Sequence, residues 1–453
     1  MENETAESQP SGNQPAQLQR TVGFWGAILL GLGSMIGTGV FVSIGIGASI
    51  TGASVILAVI IGAGVAICNG LSSAQLAANH PVSGGTYEYG YRYLTPWLGF
   101  IAGWMFLLAK SASAATGALG FSGYLLTTMG LEMRWLQIGL ALVAVAGLTW
   151  IVLTGIRRSN IANTIIVGIT LAVLLFFVVA GVGSISNNGV AGGIRFMPLF
   201  GPSEPSNAGG FAAFISALRQ FLYASALMFV AYTGYGRIAT LGEEVKEPAR
   251  TIPRAIITTM IITMVLYISV AVVAIGTLGA EGLGQATLDA VAPLEVAART
   301  FGIGWAPLLI AIGAITAMLG VLLNLILGLS RVLLAMGRRG DMPSVVATLD
   351  PSGSTPTVAV IVMAVVIGLL VLVGNVQTTW SFSAFTVLVY YALTNLSALQ
   401  LADTERLYPR WISWAGLTAC ILLAFLVEPQ IWFLGLSLLA VGLLWHFGIK
   451  LRS

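Results

Sequence analysis

Twelve apolar runs, each long enough or nearly long enough to cross a bilayer as a helix, dominate the 453-residue sequence. They cover residues 21–49, 53–78, 97–128, 136–154, 160–182, 211–240, 255–278, 306–336, 357–374, 382–402, 412–426 and 432–448. A hydrocarbon core of about 30 Å takes about 20 helical residues. Within it, backbone polar groups must be satisfied inside the chain, so runs of this kind fold as helices. The chain is 57% hydrophobic and 8% charged, with a mean hydropathy of +0.93, values outside the range of water-soluble domains. An all-α polytopic membrane protein is the expected fold class. A net charge of +3 gives no reason to expect a nucleic acid partner.

The basic residues give the chain a direction. If the N-terminus faces the cytoplasm, 15 of the 20 Lys and Arg residues fall in inner loops and tails, and three (Arg134, Arg195, Arg299) fall in outer loops. The remaining two, Lys110 and Arg219, lie within spans. Basic residues collect on the cytoplasmic side, and a miscounted span would exchange the sides of every later loop. Twelve spans with both termini inside a plasma (inner) membrane is the expected topology. Residues 1–20 are polar and rich in Gln, Ser, Pro and Glu, a composition that reads as a disordered cytoplasmic tail and not as a cleavable signal peptide. Cys68 and Cys420 sit in separate apolar runs and suggest packing residues, with no metal-ligand spacing and no cofactor motif.

Two runs are poor continuous helices. The first contains Gly33-Ser34-Met35-Ile36-Gly37-Thr38-Gly39-Val40-Phe41, and the sixth contains Phe229-Val230-Ala231-Tyr232-Thr233-Gly234-Tyr235-Gly236. Each glycine in a helix interior costs roughly 1 kcal/mol relative to alanine. Glycine also serves close helix packing in membranes, but runs one and six hold matching places if spans one to five and six to ten are two inverted repeats. A broken helix at membrane depth survives where it lines a polar cavity. Its free N–H groups suit a carboxylate and its free carbonyls suit an ammonium group or a cation, so a zwitterion is the natural ligand.

Four stretches together resemble the amino acid–polyamine–organocation (APC) superfamily, and its amino acid permeases in particular. They are GSMIGTGVF (33–41), PVSGGTYEYGYRYLTPWLGFIAGW (81–104), FVAYTGYGRIATLGEEVKEPARTIPRAI (229–256) and SRVLLAMGRRGDMP (330–343). The resemblance implies a leucine-transporter-like fold. Repeats at 21–182 and 211–402 would be followed by two peripheral helices at 411–449. It implies a substrate amino acid whose carboxylate meets Gly37, Thr38 and Gly39 and whose amino group meets carbonyls of Met35, Val230, Ala231 and Thr233. Many members carry a bulky aromatic where this chain has Val230, which leaves Phe229 or Tyr232 to cover the substrate. Many also carry a lysine in span five, where this chain has Thr170.

Ionisable residues inside a membrane are costly and point to function. No Asp or Glu lies in the central part of any span, which leaves Lys110 as the deepest charge. It has three expected uses: replacing the absent span-five cation, titrating during transport, since burial disfavours a lysine's charged form, or selecting substrate side chains. Thr316, Asn324 and Ser330 in span eight are candidates for an ion site, although such residues also hydrogen-bond between helices. His80 and His446 read as solvated span-end residues. The reading is a secondary transporter of neutral or small amino acids, with coupling to H⁺, coupling to Na⁺ and exchange all left open by the sequence. No G-x-x-x-x-G-K-[ST] loop for ATP occurs and no set of catalytic side chains marks an enzyme. A polyamine or organic cation transporter and a non-transporting amino acid sensor are the alternatives.

Overall fold

A computed structural model describes residues 22–82, 84–131, 133–154, 159–188, 195–196, 210–239, 245–350 and 355–450. The tail at 1–20, the basic pair Arg157 and Arg158, and Glu243 and Glu244 of the loop after the sixth run lie outside the described residues. The described structure is helical throughout, apart from a single parallel bridge between Val22 and Val245. That bridge, closed by Lys246 N–H donating to the Val22 carbonyl at 2.9 Å, ties the loop after the sixth run to the entry of the first.

The first run is broken as its glycines suggest. Helix α1 (Phe24–Met35) ends at Ile36, whose backbone is extended, and a π-helical turn (Gly39–Ser43) leads into α2 (Ile44–Thr51). Gly52, at φ +68°, then reverses the chain into α3 (Val55–Asn79). A short helix α4 (Thr86–Tyr93) precedes α5 (Pro96–Thr128), α6 (Arg134–Leu153) and α7 (Ser159–Asn188). The sixth run is also interrupted. Helix α8 (Gly210–Tyr232) passes through a 3₁₀ turn (Thr233–Tyr235) into the single turn α9 (Gly236–Ala239). Then follow α10 (Pro248–Leu278), the short α11 (Ala280–Asp289) and α12 (Pro293–Arg299), α13 (Ala306–Arg338), α14 (Thr357–Val371), α15 (Val376–Leu399), α16 (Arg410–Ala424) and α17 (Pro429–Lys450).

Among the described residues, nine helical stretches are long and apolar enough to cross a membrane, and α14 and α16 are shorter apolar helices. Their outer faces carry exposed Trp25, Trp135, Trp150 and Phe211, side chains that water would exclude and lipid would accept. Inside, α3 lies against α8 and α10, while α5 lies against α13 and α15. Of the two interrupted helices, α1 lies against α10 and α7, and α8 also touches α15.

His446 departs from the sequence reading. It is 2% exposed, stacked on Phe100 of α5 at 4.6 Å between ring centroids, with Nδ1 3.3 Å from Asp341 Oδ1. The same Asp341 carboxylate accepts from the hydroxyls of Tyr87 (2.7 Å) and Tyr91 (2.6 Å) of α4. Burial, with the Asp341 hydrogen bond adding to it, pushes both phenols above their usual range, so they remain donors. The last helix is thereby fastened to the loop after α13. Solvation fails as a description because α17 continues past His446 and lays it against α5.

Candidate substrate-binding site

The two interruptions meet. A side chain at Gly39 would place its Cβ 2.7 Å from the Cβ of Ala231, and one at Gly234 would strike the backbone of Ser34 and Met35. Glycine is therefore required at both by close approach, since no real Cβ tolerates such distances. In the first break, the N–H groups of Gly37, Thr38 and Gly39 reach no backbone carbonyl among the described residues. Thr38 is 3% exposed, and its hydroxyl likewise has no partner there and faces Gly117 of α5. Gly37 lies against Val321 of α13.

Carbonyls at the two breaks accept from tyrosines of three other helices. Tyr267 of α10 donates to the Met35 carbonyl at 2.7 Å and has the Ala231 carbonyl at 3.3 Å. Tyr391 of α15 donates to the Thr233 carbonyl at 3.2 Å, and Tyr124 of α5 donates to the Phe41 carbonyl at 2.7 Å. Sequence reasoning missed all three. The available signal was the phenol itself, since a buried Tyr hydroxyl needs a partner.

Lys110 of α5 reaches the second break directly. Its Nζ donates to Thr233 Oγ1 at 2.7 Å, and that hydroxyl donates to the Val230 carbonyl at 2.7 Å. No carboxylate pairs with Lys110 among the described residues. A cavity of about 130 Å³ opens beside it, lined in part by Ser34, Phe106, Lys110, Thr233 and Asn324. Its wall includes a stretch of α13 from Val321 through Arg331 to Ala335.

The structure thus brings Lys110, Thr233 and Asn324 onto one cavity, with Met35, Gly37, Thr38, Gly39, Val230 and Ala231 forming the breaks behind it. Asn324 Nδ2 lies 3.4 Å from Asn163 Oδ1, and Asn163 donates to the Leu29 carbonyl of α1 at 3.1 Å. Four residues fall elsewhere. Phe229 packs edge-to-face on Tyr391, with ring centroids 5.6 Å apart, and Tyr232 packs on Tyr267 at 5.2 Å, so neither lines the cavity. The aromatic ring that does is Phe106. Thr170 donates to its own helix at Ile166, 2.8 Å away, and Thr316 does the same at Ile312. Among the described residues, no cluster of His, Cys, Asp and Glu fits a metal ion.

A family model described as amino acid permease matches residues 22–440. The chain belongs to the amino acid permease family. It is a transporter of that family and a multi-pass membrane protein. The permease is 39% identical to an uncharacterized transporter of Mycobacterium tuberculosis over 429 residues, 94% of this chain and 91% of the relative. It is 30% identical to the branched-chain amino acid permease BcaP of Bacillus subtilis over 76% of this chain and 72% of that protein. A chloroplastic cationic amino acid transporter of Arabidopsis thaliana is 28% identical over 84% of this chain and 65% of its own length.

Proposed function

We propose that this permease is a secondary active transporter of neutral or small amino acids, working by alternating access around the two breaks. The observation that carries the reading is their meeting. N–H groups of Gly37, Thr38 and Gly39, without a backbone partner among the described residues, lie on one side, and carbonyls of Met35, Val230, Ala231 and Thr233 lie on the other. Donors without a backbone partner among the described residues, set against carbonyls held by neutral side-chain hydroxyls that a charged amine can displace, are complementary to a carboxylate and an ammonium held a short distance apart. The cavity holds the side chain, and its lining has no carboxylate among the described residues, which suits a neutral side chain better than a polyamine. The relative named for branched-chain amino acids supports the same choice.

The architecture proposed is twelve crossings in two inverted five-helix repeats plus two peripheral helices. The apolar stretch Phe24–Asn79 is 56 residues long. At about 1.5 Å per residue it far exceeds one membrane thickness. Dividing it at Gly52 and adding α14 and α16 supports twelve. Packing supports the repeat. The contact of α1 with α10 has its counterpart in that of α8 with α3, and the contact of α5 with α15 in that of α7 with α13. The distribution of basic residues supports cytoplasmic termini in a plasma membrane, and the cavity wall's reach along α13 to Arg331 supports a mouth on that same side.

The test is uptake of a panel of labelled amino acids by purified protein in proteoliposomes, with pH and sodium gradients imposed separately. Uptake of one or more neutral amino acids, accelerated by one of the two gradients, is expected. Silence toward the whole panel, or uptake confined to polyamines, would overturn the reading.

A further inference from the structure

Tyr267 is 1% exposed and belongs to neither break, yet its hydroxyl spans both. It donates to the Met35 carbonyl at 2.7 Å with the Ala231 carbonyl 3.3 Å away. No backbone N–H reaches the Met35 carbonyl among the described residues. A carbonyl buried without a donor is costly, so the phenol supplies what the broken helix removed. Those two carbonyls are also among the acceptors assigned above to the substrate's amino group, and the inference rests on that assignment.

We propose that Tyr267 is a positioning residue that stands in for the substrate ammonium in the empty carrier. One neutral O–H occupies the acceptors that the amine fills with up to three charged N–H donors. When substrate arrives, the stronger charge-assisted bonds take over and the phenol gives way. When it leaves, the phenol returns and the two breaks stay joined across an empty site. The loaded carrier has no need of Tyr267 to change conformation. The empty carrier depends on it.

Tyr267→Phe removes the donor and keeps the ring against Tyr232. The carbonyls then lack a donor only when substrate is absent, so an amine-bearing substrate should bind more tightly. A merely structural pin would give the opposite sign, since loosening the site weakens binding. In proteoliposomes, with the amino acid that wild type transports best, the expected fall in Kd is about fivefold, the worth of one hydrogen bond. Exchange of internal for external substrate, which uses only the loaded carrier, should be retained. Net uptake into substrate-free vesicles, which needs the empty carrier to return, should fall about fivefold or more. Binding of the analogue lacking the α-amino group should be the same in both proteins.

A Tyr267→Phe protein whose binding weakens in step with exchange and net uptake overturns the proposal, as does one that matches wild type in all three. Wild-type silence toward every amino acid would overturn the proposed function and this inference together. A transporting wild type with either of the two former results overturns this inference alone.

Discussion

Lys110 places a charge beside the substrate cavity at a residue where the chain had many neutral choices. Its ammonium donates to Thr233 and meets no carboxylate among the described residues. With the Lys110 amine protonated, a second cation brought to about 4 Å from it would be repelled by on the order of 4 kcal/mol at an effective dielectric constant of 20. Excess arginine should therefore leave the uptake of a labelled neutral amino acid by wild type nearly untouched. Lys110→Met keeps the length of the side chain and removes the charge, and it should make arginine an inhibitor at least about tenfold more potent. Equal inhibition of both proteins would show that the charge on Lys110 does not select substrates. Thr170, bonded to its own helix, does nothing comparable.

At the scale of elements, the two breaks work as one part because glycine lets them touch. Gly234 lies against the backbone of Ser34 and Met35, where nothing flexible yields. Gly234→Ala should cost about 1–3 kcal/mol of packing at that contact. Transport should fall by about tenfold or more while the protein still reaches the membrane, and a fluorescent fusion reporting abundance separates the two effects. Uptake unchanged by Gly234→Ala would mean that the breaks do not need this contact. These breaks were legible in the sequence because glycines and hydroxyls crowd two apolar runs at matching places. Their partners were not. Tyr267 is 232 residues from Met35, and Tyr391 is 158 residues from Thr233. In an apolar run, a tyrosine that caps a carbonyl looks the same as one that fills space. His446 misled for a related reason, since its burial depends on α5 and Asp341, both remote in the chain.

At the scale of the whole molecule, hydropathy made the membrane class plain, and the distribution of Lys and Arg supports a direction for the chain. Element boundaries were less accessible: α10 begins at Pro248 and α15 at Val376, both earlier than hydropathy suggests, because their first turns are polar yet still helical. The matched packing of α1 with α10 and α8 with α3 brings two remote breaks to one place, and the central claim is that this place holds the backbone of an amino acid. Competition at equilibrium tests it most directly. Purified wild type is loaded with its best labelled neutral amino acid and challenged with the parent compound, the analogue lacking the α-amino group and the analogue whose carboxylate is esterified. Both analogues should compete about a hundredfold more weakly than the parent, because each leaves buried donors or acceptors unmatched. Either analogue competing as well as the parent would contradict the assignment of the two breaks to the substrate backbone.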